Sequence, residues 1–249
     1  MNIIVCIKRV PDTETRIRVA ENGRTIQTRD VNYVLSPYDE FAVEEAIRLK
    51  ERLGGEVTVI CLGPDEAAAV IRNALAMGAD RGVLLKTAET DLDASVTAAA
   101  LAAALADRPY DLLLFGKQAV DDDNAQVGPM VAELLNLPCV CQIVKLEITD
   151  GRAVVHRQIE GGEEVVETTL PAVFTAQKGL NEPRYASLKD IMRAKRATIE
   201  EQAATLIPSR VETVSLSLPP QRQAGRFIGK GVDAVPELIR RLREEAKVL

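Results

Sequence analysis

The chain has 249 residues, 47% of them hydrophobic and 27% charged, enough to bury one large or two modest cores. Aromatics supply only 3% and Trp is absent, so the core is expected to be built from Val, Leu, Ile and Ala. A net charge of −6 speaks against nucleic-acid binding, and no apolar run approaches the roughly 20 residues that would insert across a membrane.

In chain order, Asn2–Ile7 is a largely apolar run that reads as a buried parallel strand. It has no basic n-region and no small-residue cleavage site, so it is not expected to be a signal peptide, which points to the cytoplasm. Residues 8–29 are polar, and Asn22-Gly23 predicts a hairpin joining Arg16–Val19 to Thr25–Thr28. Ser36 suits the N-cap of a long helix, with Pro37 in the first helical position and Asp39 in the capping-box position. That helix is expected to stop near Gly54-Gly55.

Next come a strand at Val57–Leu62, a helix from Ala68 that stops at Gly78, a strand at Arg81–Lys86, an alanine-rich helix over 94–106 and a strand at Leu112–Phe115. This β-α-β-α order implies a parallel sheet with helices on both faces, and such sheets bind ligands beyond the carboxyl ends of their strands. The turns after Cys6, Leu62 and Phe115 could meet there with the helix start at Ser36.

The pattern changes after Pro138. Segments 139–148, 153–159, 164–169 and 172–176 read as antiparallel strands, and Leu188–Lys195 as a short helix capped by Ser187. Residues 197–231 have little periodicity and resemble a tail wrapping over another surface; a final helix is expected over 235–249.

The stretch Gly116–Gly128 carries the most chemical information. It leaves a buried strand and opens an amphipathic helix, whose first amides and dipole could hold an anion such as a phosphate. Two readings stand: a ligand-binding turn, in which Gln118, Asn124 and Gln126 read base edges and sugar hydroxyls, or a solvated acidic turn capping the next helix. Asp121, Asp122 and Asp123 could bind Mg²⁺, but consecutive residues cannot all face one ion without help from elsewhere. There is no P-loop and no G-x-G-x-x-G after the first strand. Cys6 and Cys61 read as small buried hydrophobes, while Cys139 and Cys141 share one strand face but lack the second ligand pair a zinc site needs. The lone His156 sits in a predicted strand with no nearby catalytic partner, and no nucleophile–base pair is evident.

Several blocks resemble the β subunit of electron transfer flavoprotein along nearly the whole chain. They are Val5-Cys-Ile-Lys-Arg-Val10, Ala42–Lys50, Ala74–Gly82 and the Gly-Lys-Gln-Ala-x-Asp-Asp-Asp loop at Gly116. Val155–Gly162 with Leu170–Val173, Asn181–Met192 and Pro219–Gly225 follow in order.

The resemblance implies a mostly parallel three-layer α/β sandwich of the adenine-nucleotide α-hydrolase-like kind, with an antiparallel extension and a C-terminal arm. The nucleotide-binding domain would cover 1–196, including strands over 139–176 and a partner-recognition loop at 181–195; the arm and helix over 197–249 would pack on an α subunit. The family is a heterodimeric electron carrier rather than an enzyme, with FAD held mainly by α and AMP bound structurally by β. By position, the AMP site would comprise Cys6, Ser36, Pro37, Tyr38, Asp39, Leu62 and the loop Gly116, Lys117, Gln118, Ala119, Val120, Asp121, Asp122, Asp123, Asn124, Ala125, Gln126 and Val127. Docking of acyl-CoA or other flavin dehydrogenases would use Arg184, Tyr185, Leu188, Ile191 and Met192, with a membrane electron transfer flavoprotein–quinone oxidoreductase as acceptor. A bifurcating branch of the family holds a second FAD in place of AMP; its Gly-Asp-Thr loop differs from Asp122-Asp123-Asn124 here. A rival of another class is a stand-alone nucleotide-binding stress-type protein, which would have little use for the long arm.

Overall fold

A computed structural model describes residues 1–221 and 224–249; Arg222 and Gln223 of the Pro219–Gly225 block lie outside the described residues. The strands are β1 (Asn2–Ile7), β2 (Arg9–Pro11), β3 (Tyr33–Leu35), β4 (Glu56–Gly63), β5 (Arg81–Lys86) and β6 (Leu112–Gly116), then β7 (Cys139–Thr149), β8 (Arg152–Ile159), β9 (Gly162–Thr169), β10 (Ala172–Ala176) and β11 (Ile199–Ala203). The α-helices are α1 (Pro37–Leu53), α2 (Ala68–Met77), α3 (Ala94–Leu105), α4 (Val127–Leu134), α5 (Leu188–Arg196) and α6 (Val235–Glu244).

One nine-stranded sheet runs β11-β5-β4-β1-β6-β10-β7-β8-β9, parallel from β11 through β7 and antiparallel from β7 to β9. The central strands are apolar on both faces because both are covered. Ile3, Val5, Leu112, Leu114 and Phe174 pack against α1, α2 and Ala194 of α5. Ile4, Cys6, Ile60, Leu113 and Phe115 pack against α3 and α4. The fold is therefore the expected three-layer α/β sandwich.

Three local readings change. Ala172–Ala176, expected to be antiparallel, is β10, inserted parallel between β6 and β7. All five of its residues are buried, as suits a strand covered on both faces rather than a half-exposed meander strand. The predicted hairpin at Asn22-Gly23 reduces to a single bridge between Val19 and Ile26, because its flanking residues are mostly polar and half-exposed and give a ladder no face to bury. The chain instead pairs β2 with β3 in a small second sheet. Ile199–Ala203, read from sequence as tail, is the edge strand β11 paired with β5; its Glu-Glu-Gln centre is exposed, which hid the pattern.

The chain divides into compact units Met1–Ser215 and Leu216–Leu249. The second contains α6, whose partly exposed Val235, Leu238 and Ile239 form one stripe at helical spacing. Among the described residues, no helix is long and apolar enough to cross a membrane.

Candidate functional site

From β1 the chain steps outward through β4 and β5, then returns as β6 on the other side of β1. The strand order reverses there, and a crevice at the carboxyl ends of β1 and β6 is the expected ligand position. The start of α1 lies against that crevice. Pro37 opens the helix after Ser36, but the Ser36 side chain makes no capping bond. Its Oγ is buried without any hydrogen-bond partner, an unusual state for a hydroxyl in a folded protein.

Asp39 does not close a capping box either. Its carboxylate accepts the backbone N–H of Lys8 at 2.7 Å and that of Gly116 at 3.0 Å, tying the helix start to the ends of β1 and β6. Burial pushes this carboxyl up to about 7; the two backbone N–H groups, and after them the Lys8 charge, hold it from rising further. Gly116 is required by close approach: a Cβ there would stand 2.7 Å from the Tyr38 carbonyl carbon and 2.8 Å from the Asp39 nitrogen. Burial, then the nearby Asp39 charge, also raises the Cys6 thiol and pushes the Cys61 thiol up to about 12.

Lys8 ties the aspartate loop to the end of β1. The Lys8 ammonium reaches Asp121 at 2.9 Å and Asp122 at 3.0 Å. Burial would lower the ammonium, but the two carboxylates prevail and hold it above its ordinary value. Asp123 accepts from the Gln118 amide at 2.6 Å, and the backbone takes positive φ at Asp123 and Ala125. The Lys117 ammonium lies 5.4 Å from the Tyr38 ring centroid, a cation–π distance. Gly128 admits Thr175 and Phe115 against the first turn of α4. Each of the three aspartates thus has a structural partner, so their number alone does not demand a ligand.

The structure brings Ser36, Pro37, Tyr38, Asp39, Gly116, Lys117 and Asp121 to Asp123 into one contact network, with Cys6 buried beside Asp39. Ala119 accepts from the Asp123 N–H, and the Asn124 N–H faces Asp122 at 3.5 Å. Val120, Ala125 and Gln126 complete the loop, and Val127 opens α4 with Gln126 in the cap position. Leu62 lies half-buried on β4 against the α3/α4 side. Lys8 was missed as a site residue, although a lysine directly after a buried strand is a visible signal.

The other candidate segment is docked on the far half of α1. Glu44 is 1% exposed and takes Arg184 at 2.8 Å and Arg48 at 2.6 Å; Arg184 also binds Glu51. Burial pushes the Glu44 carboxyl up, yet the hydrogen bonds of Arg184 and Arg48 leave it below its ordinary value. The Asn181 amide donates to the Phe41 carbonyl and to Glu45, both at 3.0 Å. Arg72 donates to the carbonyls of Ala194 and Ala197 at 2.9 Å, satisfying the end of α5. Against this frame, Tyr185 and Leu188 are 101% and 77% exposed, with Ile191 and Met192 on the same outer face of α5. Arg184 therefore anchors the segment, while the four apolar side chains face outward.

The fold defines an α/β protein whose strand order reverses between β1 and β6. Residues 24–207 match the electron transfer flavoprotein domain model. The chain is 42% identical over its full length to the electron transfer flavoprotein subunit beta of Bacillus subtilis, all of which is covered. It is 40% identical to that of Bradyrhizobium diazoefficiens, with both chains fully covered, and 39% identical to that of Mus musculus, covering 99% of it. The chain belongs to the electron transfer flavoprotein family, and its resemblance is to the β subunits.

Proposed function

We propose that this chain is the β subunit of a heterodimeric electron transfer flavoprotein, a carrier rather than an enzyme in its own right, acting in the cytoplasm. AMP is held structurally in the crevice, and FAD is held mainly by an α subunit. Electrons from acyl-CoA or other flavin dehydrogenases leave for a membrane quinone oxidoreductase. The observation that carries the nucleotide assignment is the buried, unpartnered Ser36 Oγ at a helix start beside the aspartate loop. A polar ligand atom would complete it.

The residues present fit an adenine nucleotide. Lys8 and Gln118 hold the acidic side chains, which leaves phosphate oxygens to the amides that open α4. Gly116 keeps the strand end free of a side chain, and Tyr38 walls the site. The bound flavin supplies the redox chemistry, and this chain supplies placement and contact. Exposed Leu188, Ile191, Met192 and Tyr185 suit a small, fast-dissociating contact, and the anchored frame beneath them limits the ordering cost of docking. Exposed apolar side chains at Val211, Val214 and Leu218 suit an arm that embraces a partner.

The test is to co-express the chain with an α subunit and extract the bound nucleotides. One FAD and one AMP per heterodimer is the expected result. Two FAD and no AMP would replace this reading with the bifurcating one, and a stable, colourless monomer without α would favour the stand-alone rival. Leu188→Ala should slow electron transfer from an acyl-CoA dehydrogenase by at least roughly tenfold while both nucleotides stay bound. Unchanged transfer would remove the docking role.

A further inference from the structure

The crevice and the docking segment leave two side chains without a role: Cys139 and Cys141 on β7. Both are half-buried and free, whereas Cys6 and Cys61 are fully buried. Their sulfurs lie 3.8 Å apart. Two residues of a regular strand span about 6.6 Å, at the upper edge of the Cα separations a disulfide tolerates. This strand is not regular. The pairing of β7 with β10 shifts register between Phe174 and Ala176, so Cys141 and Gln142 together face the single residue Thr175. Gln142 has φ of +61° and donates its backbone N–H to Thr175 Oγ1 at 2.8 Å. Such a bulge bends the strand locally and redirects a side chain. Here it starts at Cys141.

The surroundings favour one thiolate. The hydrogen bond with Cys139 lowers Cys141 most; burial opposes it, and Thr175 and the Arg157 charge add to the lowering. Cys139 moves the other way, held up by the same bond and by burial, and either sulfur can donate in that bond. Arg157 Nε is itself buried with no hydrogen-bond partner, so the guanidinium has an unsatisfied N–H on this part of the sheet. An asymmetric dithiol of this kind has an attacking sulfur, a resolving sulfur and partial access to solvent.

We propose that Cys139 and Cys141 form a redox-active dithiol that closes to an intrastrand disulfide with a low-molecular-weight disulfide as oxidant. The Cys141 thiolate attacks one sulfur of the oxidant, a new S–S bond forms, and the first thiolate leaves. Cys139 then gives up its proton and attacks Cys141 Sγ, which expels the second thiolate. Relative to the dithiol the protein loses two protons and two electrons, and the oxidant takes up both to become two thiols.

This inference does not depend on the nucleotide assignment, so its failure and that of the proposed function are separable. The full-length chain, purified with its α subunit, is treated with oxidised glutathione and examined by intact mass and peptide mapping. Wild type should lose two hydrogen masses with no adduct retained, and the map should join Cys139 to Cys141. Cys139→Ser should instead trap one glutathione on Cys141. Cys141→Ser should react roughly tenfold more slowly, since it lacks the lowered thiol. A wild-type chain that keeps four free thiols, or that stops at a stable glutathione adduct, overturns the proposal. The wild-type measurement decides this alone, whatever the variants do to folding.

Discussion

Two carboxylates of α1 sit at positions 39 and 44, both almost fully buried at 6% and 1% exposure, and their acidities move in opposite directions. Asp39 meets backbone N–H dipoles, while the nearest ammonium, Lys8, is shared between Asp121 and Asp122. Burial prevails, and its carboxyl rises to about 7. Glu44 suffers the same burial, but two guanidinium groups reverse it. Dipoles satisfy hydrogen bonds without cancelling charge; cations do both. The Asp39 carboxyl is therefore poised to change protonation near neutral pH, whereas Glu44 is held below its ordinary value.

Gly116→Ala attacks the crevice end hardest. The new methyl group meets backbone on α1, which has no rotamer to give, so either the helix start or the end of β6 must shift. The expected loss is about 3 kcal/mol, at the upper end of overpacking costs. Urea unfolding measures it; a wild-type midpoint would mean that the close approach is not maintained in solution. Arg184→Ala attacks the other end by removing one of two cations from Glu44. The expected cost is about 2 kcal/mol, below that of a fully buried pair because Arg184 keeps some solvent access and Arg48 remains. Arg184→Lys should recover only part of it, since one ammonium cannot bind Glu44 and Glu51 in the two-pronged way a guanidinium does. Equal midpoints for all three chains would show that Arg48 suffices.

The layered fold was legible because periodicity reports burial. The helix over 37–53 and the strands β4 to β6 follow directly from apolar spacing and from stops at Gly54 and Gly78. β11 was hidden because an edge strand paired on one side only, with Glu200, Glu201 and Gln202 exposed, carries no apolar signature. β10 was visible as a strand, but its neighbours were not, since local sequence does not encode which buried strands pair. At the site, Ser36 and Asp39 could be picked out as helix-start residues, yet a capping box was the wrong chemistry. Asp39 reaches across 31 and 77 positions to Lys8 and Gly116, and such long-range pairings leave no local spacing to read. Local sequence does not mark the outer face of α5, since a leucine at a helix start commonly faces a core; the buried Ala194 on the inner face shows which side turns outward.

The subtlest consequence of the comparison is in pH dependence. Asp39 has a folded-state pKa of about 7 against an ordinary 3.8, so between those values the folded chain binds more protons than the unfolded one. Its effect on stability therefore falls as pH rises across that window and is level on either side. Glu44 works with the opposite sign and in another window: its stabilisation is present above the ordinary glutamate pKa and is lost as pH falls below it. The two ends of one helix can thus be titrated separately. Asp39→Asn removes the first slope and costs about 1 kcal/mol at pH 5, because the amide offers one acceptor oxygen where two backbone N–H groups compete. From pH 5 to pH 8 the variant should gain on wild type in urea midpoint, since only wild type must ionise a buried carboxyl. Parallel curves would mean that Asp39 ionises as an ordinary surface carboxylate, and with that the contrast between dipole and cation partners on α1 would fail.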